Sequence, residues 1–468
     1  MPPVIQNRGE LLSGAQGLPE ARAREILLDT LEHALTAVEP VALVKSRVRV
    51  EDDWLRVGTK RYHLKGFRRI YVVGGGKAGA GMACAIEELL EDKIHAGVVN
   101  IPRGVKIQKR PKRIEMVEAG HPIPDEAGLR GVQKMLRLLE DTRKNDLVIC
   151  LISGGGSALM PLPAPGLRLE DKQLITRMLL DVGATINELN IVRKHLSGIK
   201  GGRLAEAAHP AQVLALIISD VVGDPLGTIA SGPCAPDPTT FRDAIGVLRK
   251  YGLWRKAPHG VRRVLSEGLD GEVPETPKPG APVFKRVETA IVGNNMTACA
   301  AAEEKLRGIG FNTLILTTRL QGEARQAGAF LSSVVHEADV SGRPIARPAA
   351  LICGGETTVR VTGKGTGGRN QELMLSVALQ TAGLTRFAAV SMGTDGVDGS
   401  SRAAGAIVDS TTIARSRARR LDLRGFLGEN NSYAVFSSLG DALVTGPTGT
   451  NCNDITLFLL MGGLPVRN

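Results

Sequence analysis

Four glycine-rich turns, each at the end of an apolar run, gather the residues of this chain that could do chemistry. They are Val73-Gly74-Gly75-Gly76-Lys77, Ile152-Ser153-Gly154-Gly155-Gly156-Ser157, Cys353-Gly354-Gly355-Glu356 and Met392-Gly393-Thr394-Asp395-Gly396. A strand that runs into glycine leaves bare N–H groups pointing outward, and open α/β sheets hold phosphates and small polar substrates at such turns. The implied chemistry is that of phosphate groups. Lys77 stands one step past three glycines at the opening of a helix, placed to meet an anion. Ser153 to Ser157 form the best anion cradle, because three glycines permit positive φ and close approach while two hydroxyls add donors. Asp220 follows the apolar run 213–218, where a parallel strand delivers a side chain to a site. Its carboxylate suits Mg²⁺ or a hydroxyl proton, and equally a turn cap. Asp395 carries the same two readings. Arg369 ends the glycine loop 363–368 at a helix start and offers a bidentate fork to phosphoryl oxygens or a carboxylate. Arg193, Lys200 and Arg203 fall within reach of one another along a basic helical stretch from Asn190 to Ala208. Its internal glycines each cost about 1 kcal/mol against alanine and call for a reason such as ligand approach.

Several other chemistries are excluded or weakened. A Walker P-loop is absent, since Lys77 is followed by Ala78 and Lys364 by Gly365. Gly74, Gly76 and Gly79 formally satisfy the dinucleotide fingerprint, but the next strand ends at Asn100 rather than at an acid. Arg103 would then have to take a 2′-phosphate, which leaves an NAD(P)H-dependent reductase as the alternative. The serine turn at 153–157 does not match a nucleophile elbow, and the 8 histidines offer no evident base, so a hydrolase reads poorly. The 6 cysteines contain no C-x-x-C pair, which points away from metal and disulfide frameworks and towards a reducing compartment. The expected location is cytoplasmic, since no basic-then-apolar leader opens the chain and no apolar run reaches the roughly 20 residues that span a bilayer.

The elements that must position these residues alternate between strand and helix. A helix is expected over 20–37, a small hairpin over 47–64, and a strand over 70–73 leading into a helix over 78–90. Strands follow at 98–99, 147–152 and 213–218, with a helix over 125–139. The continuous apolar run at 147–152 suits a strand buried on both faces, and the alternation favours a mostly parallel sheet. The proline-rich stretch 268–282 reads as a linker, after which the pattern restarts with a strand over 287–292. At 468 residues the chain is long enough for two domains, expected over 1–275 and 285–468. Its net charge of +11 is dispersed, with local clusters such as 106–113 and 415–420. With aromatics at only 3%, the chain lacks the stacking side chains of a nucleic-acid binder. Positive potential instead gathers small anionic substrates.

Taken in order, these motifs resemble the glycerate kinase family that carries a MOFRL C-terminal domain. The resemblance rests on Gly74–Ala78, Gly120-His121-Pro122-Ile123-Pro124-Asp125, Ser153–Ala158, Val192–Ser197, Lys200-Gly201-Gly202, Ser219-Asp220-Val221, Gly354–Val359, Gly367–Glu372 and Gly393–Gly396. It implies an α/β chain of two domains: a larger Rossmann-like N-terminal domain with a parallel sheet, and a smaller α/β MOFRL domain, with the site in the cleft between them. It also implies ATP-dependent phosphorylation of D-glycerate, mostly to 2-phosphoglycerate. By the resemblance Lys77 and Arg369 meet the transferring phosphoryl group or the glycerate carboxylate. Asp220 joins them as a catalytic residue. Gly75, Gly76, Ser153, Gly154, Gly155, Gly156, Ser157 and Lys200 contact the nucleotide, and Asp220 and Asp395 hold Mg²⁺. The expected partners are D-glycerate and ATP, with no nucleic acid and no membrane, and a homodimer is left open.

Overall fold

The computed structural model describes residues 4–462 apart from 106, 108 and 109, so Lys106 and Lys109 of the first basic cluster lie outside the described residues. The chain folds into two compact units, one of residues 40–292 and the other joining the residues up to Glu39 with those from Gly293 onward.

The 40–292 unit is built on a six-stranded sheet in the order Ile114–Ala119, Ile94–Pro102, Ile70–Gly75, Leu147–Ser153, Gln212–Ile218, Val287–Gly293. The first five strands pair in parallel. Every residue of Ile70–Gly75 and Leu147–Ser153 is buried, as a central strand covered on both faces requires. The helices Gly79–Leu90 and Glu126–Leu139 supply the covering apolar faces, with Met82, Ala83, Ile86, Val132 and Met135 all buried. The segment expected as a hairpin forms three antiparallel strands, Val48–Glu51, Trp54–Val57 and Lys60–His63. The basic stretch 190–208 is two helices rather than one, Ile186–His195 and Arg203–Ala208. The first closes at Leu196, and Gly201 at φ 59° and Gly202 at φ 87° stand left-handed just before the second, a conformation glycine adopts without strain.

The other unit carries a six-stranded mixed sheet in the order Asn312–Leu320, Ala349–Gly355, Asp454–Leu460, Phe387–Gly393, Gly405–Asp409, Ala442–Leu443. Only the first pair is parallel. The strand Asp454–Leu460, absent from the sequence expectation, inserts antiparallel between Ala349–Gly355 and Phe387–Gly393. The helix Leu18–Ala37 belongs to this unit. Its Arg24, fully buried, donates from Nε to Asp409 at 2.6 Å and from Nη1 to Asp441 at 2.8 Å. A pair so desolvated holds only while both sides are present, which ties the helix to this sheet.

The units therefore divide the chain differently from the expected 1–275 and 285–468. The N-terminal helix goes with the C-terminal segment, and the strand Val287–Gly293 completes the sheet of the 40–292 unit. Nor is the proline-rich stretch a free linker. The Phe241 amide donates to Glu275 at 2.8 Å, the Thr276 hydroxyl to Asp237 at 3.0 Å, and the Asp237 amide to the Pro277 carbonyl at 2.9 Å. Among the described residues no helix is long and apolar enough to cross a membrane.

Candidate active site

Three neighbouring parallel strands of the 40–292 unit end side by side, at Gly75, Ser153 and Ile218, and the turns beyond them carry Lys77, Gly154 to Ser157, and Asp220. This is the carboxyl edge of an open sheet, where such folds bind ligands. The first two turns are stitched together. The Lys77 amide donates to the Gly154 carbonyl at 2.7 Å, and the Ala78 amide to the Ser153 hydroxyl at 3.1 Å. Gly76 is required there: at φ 153° a Cβ would lie 2.1 Å from Ser153 Oγ. A Cβ on Gly75 would lie 3.0 Å from both the Asn100 carbonyl and Met160.

The second turn is shaped as closely. A Cβ on Gly154 would fall 2.0 Å from Asp220 Oδ2, so the carboxylate lies directly against this glycine. Gly155, left-handed at φ 79°, faces His121 and Lys77, whose Nε2 and Cγ would lie 2.9 Å and 3.2 Å from a Cβ there. A Cβ on Gly156 would come within 2.8 Å of Ala230. The short helix Gly156–Leu159 then begins, and its first amides have no partner within the helix. The Ser157 hydroxyl bonds to that of Ser231 at 2.8 Å, which in turn donates to Asn190 Oδ1 at 2.9 Å. Lys77 is half-buried rather than exposed.

Beside this turn lies a cavity of about 410 Å³ lined by His121, Gly155, Ser157, Lys172, Arg193 and Lys200 among others. Lys200 is 1% exposed and donates to the Met160 carbonyl at 3.1 Å. Lys172 is 6% exposed and donates to the carbonyls of Pro161 at 3.2 Å and Leu162 at 3.1 Å. Burial, with Arg193 adding repulsion, pulls the Lys200 ammonium down to about 7. Burial, then Lys200 and Arg193, pull Lys172 well below the usual lysine range. Burial lowers Arg193 to about 10.

The other unit holds Arg369 and Asp395. Arg369 opens the helix Arg369–Gln380 and is held by acids of its own unit. Its Nε and Nη2 donate to Asp454 at 2.5 Å and 2.9 Å, and its Nη1 lies 3.0 Å from Glu356. Burial pushes Asp454 up to about 6 despite this fork. Asp395 accepts from the Val397 amide at 3.1 Å, the turn-capping geometry. The carboxylate of Asp398 accepts the first amides of the Arg369 helix, from Asn370 at 3.0 Å and Gln371 at 2.9 Å. Lys77, Ser153 to Ser157, Asp220 and Lys200 thus come together within one unit, whereas Arg369 and Asp395 belong to the other.

Among the described residues no three His, Cys, Asp or Glu side chains gather to hold a metal. Mg²⁺ that travels with a nucleotide needs only one or two carboxylates besides phosphate oxygens and water, and Asp220 against Gly154 fits that requirement. The dinucleotide alternative fits less well. Asn100 is fully buried and its amide donates to the Gly128 and Leu159 carbonyls at 2.8 Å and 2.7 Å, a structural clamp rather than a ribose contact. Arg103 is paired with Asp125. Lys172, which the sequence expectation does not include, has a readable signal: with Leu169, Ile175 and Leu179 it occupies the buried face of its helix, an interrupted apolar stripe. His121 reaches the site from a loop and Ser231 from the short 3-10 turn Ile229–Ser231, whose placement no periodicity reveals.

Residues 26–266 match the family described as a domain of unknown function, DUF4147, and residues 349–454 match the MOFRL family. The chain is 44% identical to the glycerate 2-kinase of Pyrococcus horikoshii, over 93% of this chain and 97% of the relative. It is 44% identical to the D-glycerate 2-kinase of Thermotoga maritima, over 84% of this chain and 91% of the relative. A crystal structure of glycerate kinase from Thermotoga maritima superposes with a TM-score of 0.83 at 41% identity, covering 94% of this chain and 100% of that chain.

Proposed function

Because the chain belongs to the glycerate kinase family, we propose that it transfers the γ-phosphoryl group of ATP to D-glycerate, giving 2-phosphoglycerate and ADP. The observation that carries this reading is the set of adjoining strand ends that put Lys77, the Ser153–Ser157 turn and Asp220 at one sheet edge. The glycines at 75, 76 and 154–156 let a phosphate approach main-chain amides that any side chain would cover. Lys77 offsets the charge that spreads over the equatorial oxygens as the phosphoryl group moves. The C2 hydroxyl oxygen of glycerate bonds to the γ-phosphorus, the bond from that phosphorus to the bridging oxygen breaks, and ADP leaves with the electron pair. Asp220 orients the hydroxyl and receives its proton. Mg²⁺ enters with ATP as part of the substrate, neutralising phosphate charge. By the resemblance, Arg369 meets the phosphoryl group or the glycerate carboxylate and Asp395 holds Mg²⁺. We place the enzyme in the cytoplasm, with small anions rather than nucleic acid as its partners.

The test is purified protein with ATP, Mg²⁺ and D-glycerate, coupled to enolase, which consumes 2-phosphoglycerate but not the 3-isomer. Phosphoenolpyruvate should form without added mutase. ADP formation that yields phosphoenolpyruvate only with mutase would reassign the hydroxyl. Oxidation of NAD(P)H by hydroxypyruvate without ATP would favour the reductase instead.

A further inference from the structure

The cavity beside the Ser153–Ser157 turn has an unusual charge pattern. Among the described residues its lining includes Lys172, Arg177, Arg193 and Lys200, but no aspartate or glutamate. Lys172 and Lys200 are the costly members, being nearly inaccessible to solvent and hydrogen-bonded there only to the main-chain carbonyls of residues 160–162. A buried ammonium with carbonyl partners alone is a large desolvation penalty, and a fold keeps two of them in one cavity when an anion completes the site. The remaining wall is apolar, with Pro122, Ile123, Leu169 and Leu180.

Two anions are at hand in the proposed reaction, a triphosphate and a carboxylate, and the charge pattern separates them. The triphosphate arrives with Mg²⁺, which binds through one or two carboxylates besides phosphate oxygens and water, and this wall offers none among the described residues. The carboxylate that could serve the metal, Asp220, lies against Gly154 and is not part of the cavity lining. A lone carboxylate carries no metal and matches the guanidinium fork and ammonium donors directly. We propose that this cavity seats the carboxylate of the acceptor substrate, held by Lys172, Arg193 and Lys200, so that the hydroxyl end of the small hydroxy acid is left to face the phosphate turn. The proposal rests on the glycerate kinase reading and moves Lys200 from the nucleotide to the acceptor. Ser157 and Gly155, which belong to both the turn and the cavity lining, are where the two substrates meet. The site selects an acid over its neutral analogue, so glycerol is refused because it leaves the cations uncompensated.

The experiment measures KM for D-glycerate and for ATP separately in Lys172→Met and Arg193→Met, with calorimetric binding of D-glycerate in the absence of nucleotide. The expected result is a rise in KM for D-glycerate of about tenfold or more, with KM for ATP changed less than about threefold. Lys172→Met should melt no lower than the parent without ligand, because the substitution removes a buried charge with no acidic partner. A rise in KM for ATP with KM for glycerate unmoved would overturn the assignment. A second measurement needs no variant: the melting temperature of the parent protein without nucleotide. D-glycerate should raise it and glycerol at the same concentration should not, and equal shifts or none with D-glycerate would also overturn the proposal. Failure of the family reading is separable, since absence of ADP formation by the parent leaves calorimetry and melting to judge the cavity alone.

Discussion

Gly154→Ala probes the contact on which the phosphate turn and Asp220 depend. The φ of Gly154 lies outside the left-handed region, so alanine adds no backbone strain. What it adds is one carbon, 2.0 Å from Asp220 Oδ2, 2.4 Å from Cγ and 3.1 Å from Cβ, where ordinary contact begins near 3.4 Å. The nearest atoms include the carboxyl carbon itself, so a small wag of the terminal oxygens cannot relieve the clash, and the carboxylate must retreat by about 1 Å or more. A displacement of that size at a reacting centre costs about 10²-fold in rate. Asp220 is only half-buried, so the global cost should stay within about 1 kcal/mol. The assay is ADP release at saturating Mg²⁺, ATP and D-glycerate, alongside urea unfolding. We expect kcat to fall about 10²-fold in Gly154→Ala, at least as far in Asp220→Asn, and hardly further in the double variant, because both substitutions disable the same carboxylate. Parental kcat in a folded Gly154→Ala protein would refute the reasoning, and so would additive losses in the double variant.

Lys77→Ala should lower kcat about 10²- to 10³-fold while the urea midpoint stays close to the parent's, and undiminished turnover would remove Lys77 from the chemistry. Arg369→Ala strands Asp454, whose side chain is 8% exposed, and should cost about 3 kcal/mol of stability in urea unfolding. The Asp454 carboxyl already sits at about 6 through burial, above its ordinary value, so its ionisation disfavours the folded state as pH rises through that range. The loss in Arg369→Ala should therefore be greater at about pH 8 than at about pH 5, and equal losses would contradict this. Lys200 runs the other way. Its ammonium is pulled down to about 7 by burial, with Arg193 adding repulsion, so unliganded stability falls as pH drops from the ordinary lysine range towards 7 and levels off below it. The stability gap between Lys200→Met and the parent should widen in favour of the variant from about pH 9 to about pH 6 in thermal melts, and a gap independent of pH would contradict the shift.

The sheet edge was legible because its signals are local. Apolar runs ending in glycine identify strands covered on both faces, and the residues just beyond them are where parallel strands deliver side chains, as Lys77 and Asp220 show. The cavity was less legible because its cations come from different helices and turns. Lys172 and Lys200 share a chamber although 28 positions separate them in sequence. The division into units could not be read at all. It depends on Arg24, an ordinary-looking helix arginine whose acceptors lie about 400 residues away, and on Glu275 and Thr276, whose bonds turn a proline-rich stretch into ordered structure. The antiparallel insertion of Asp454–Leu460 escaped for a related reason: an apolar run announces a strand, but its direction and neighbours are set by long-range pairing.

The measurement that bears most directly on phosphoryl transfer at this sheet edge is ³¹P NMR of the parent protein with ATP, Mg²⁺ and D-glycerate. The account predicts that the γ-phosphate signal of ATP is replaced by a monoester coupled to the proton on C2, in step with ADP. An unchanged ATP spectrum, or loss of the γ-phosphate to inorganic phosphate alone, would contradict it.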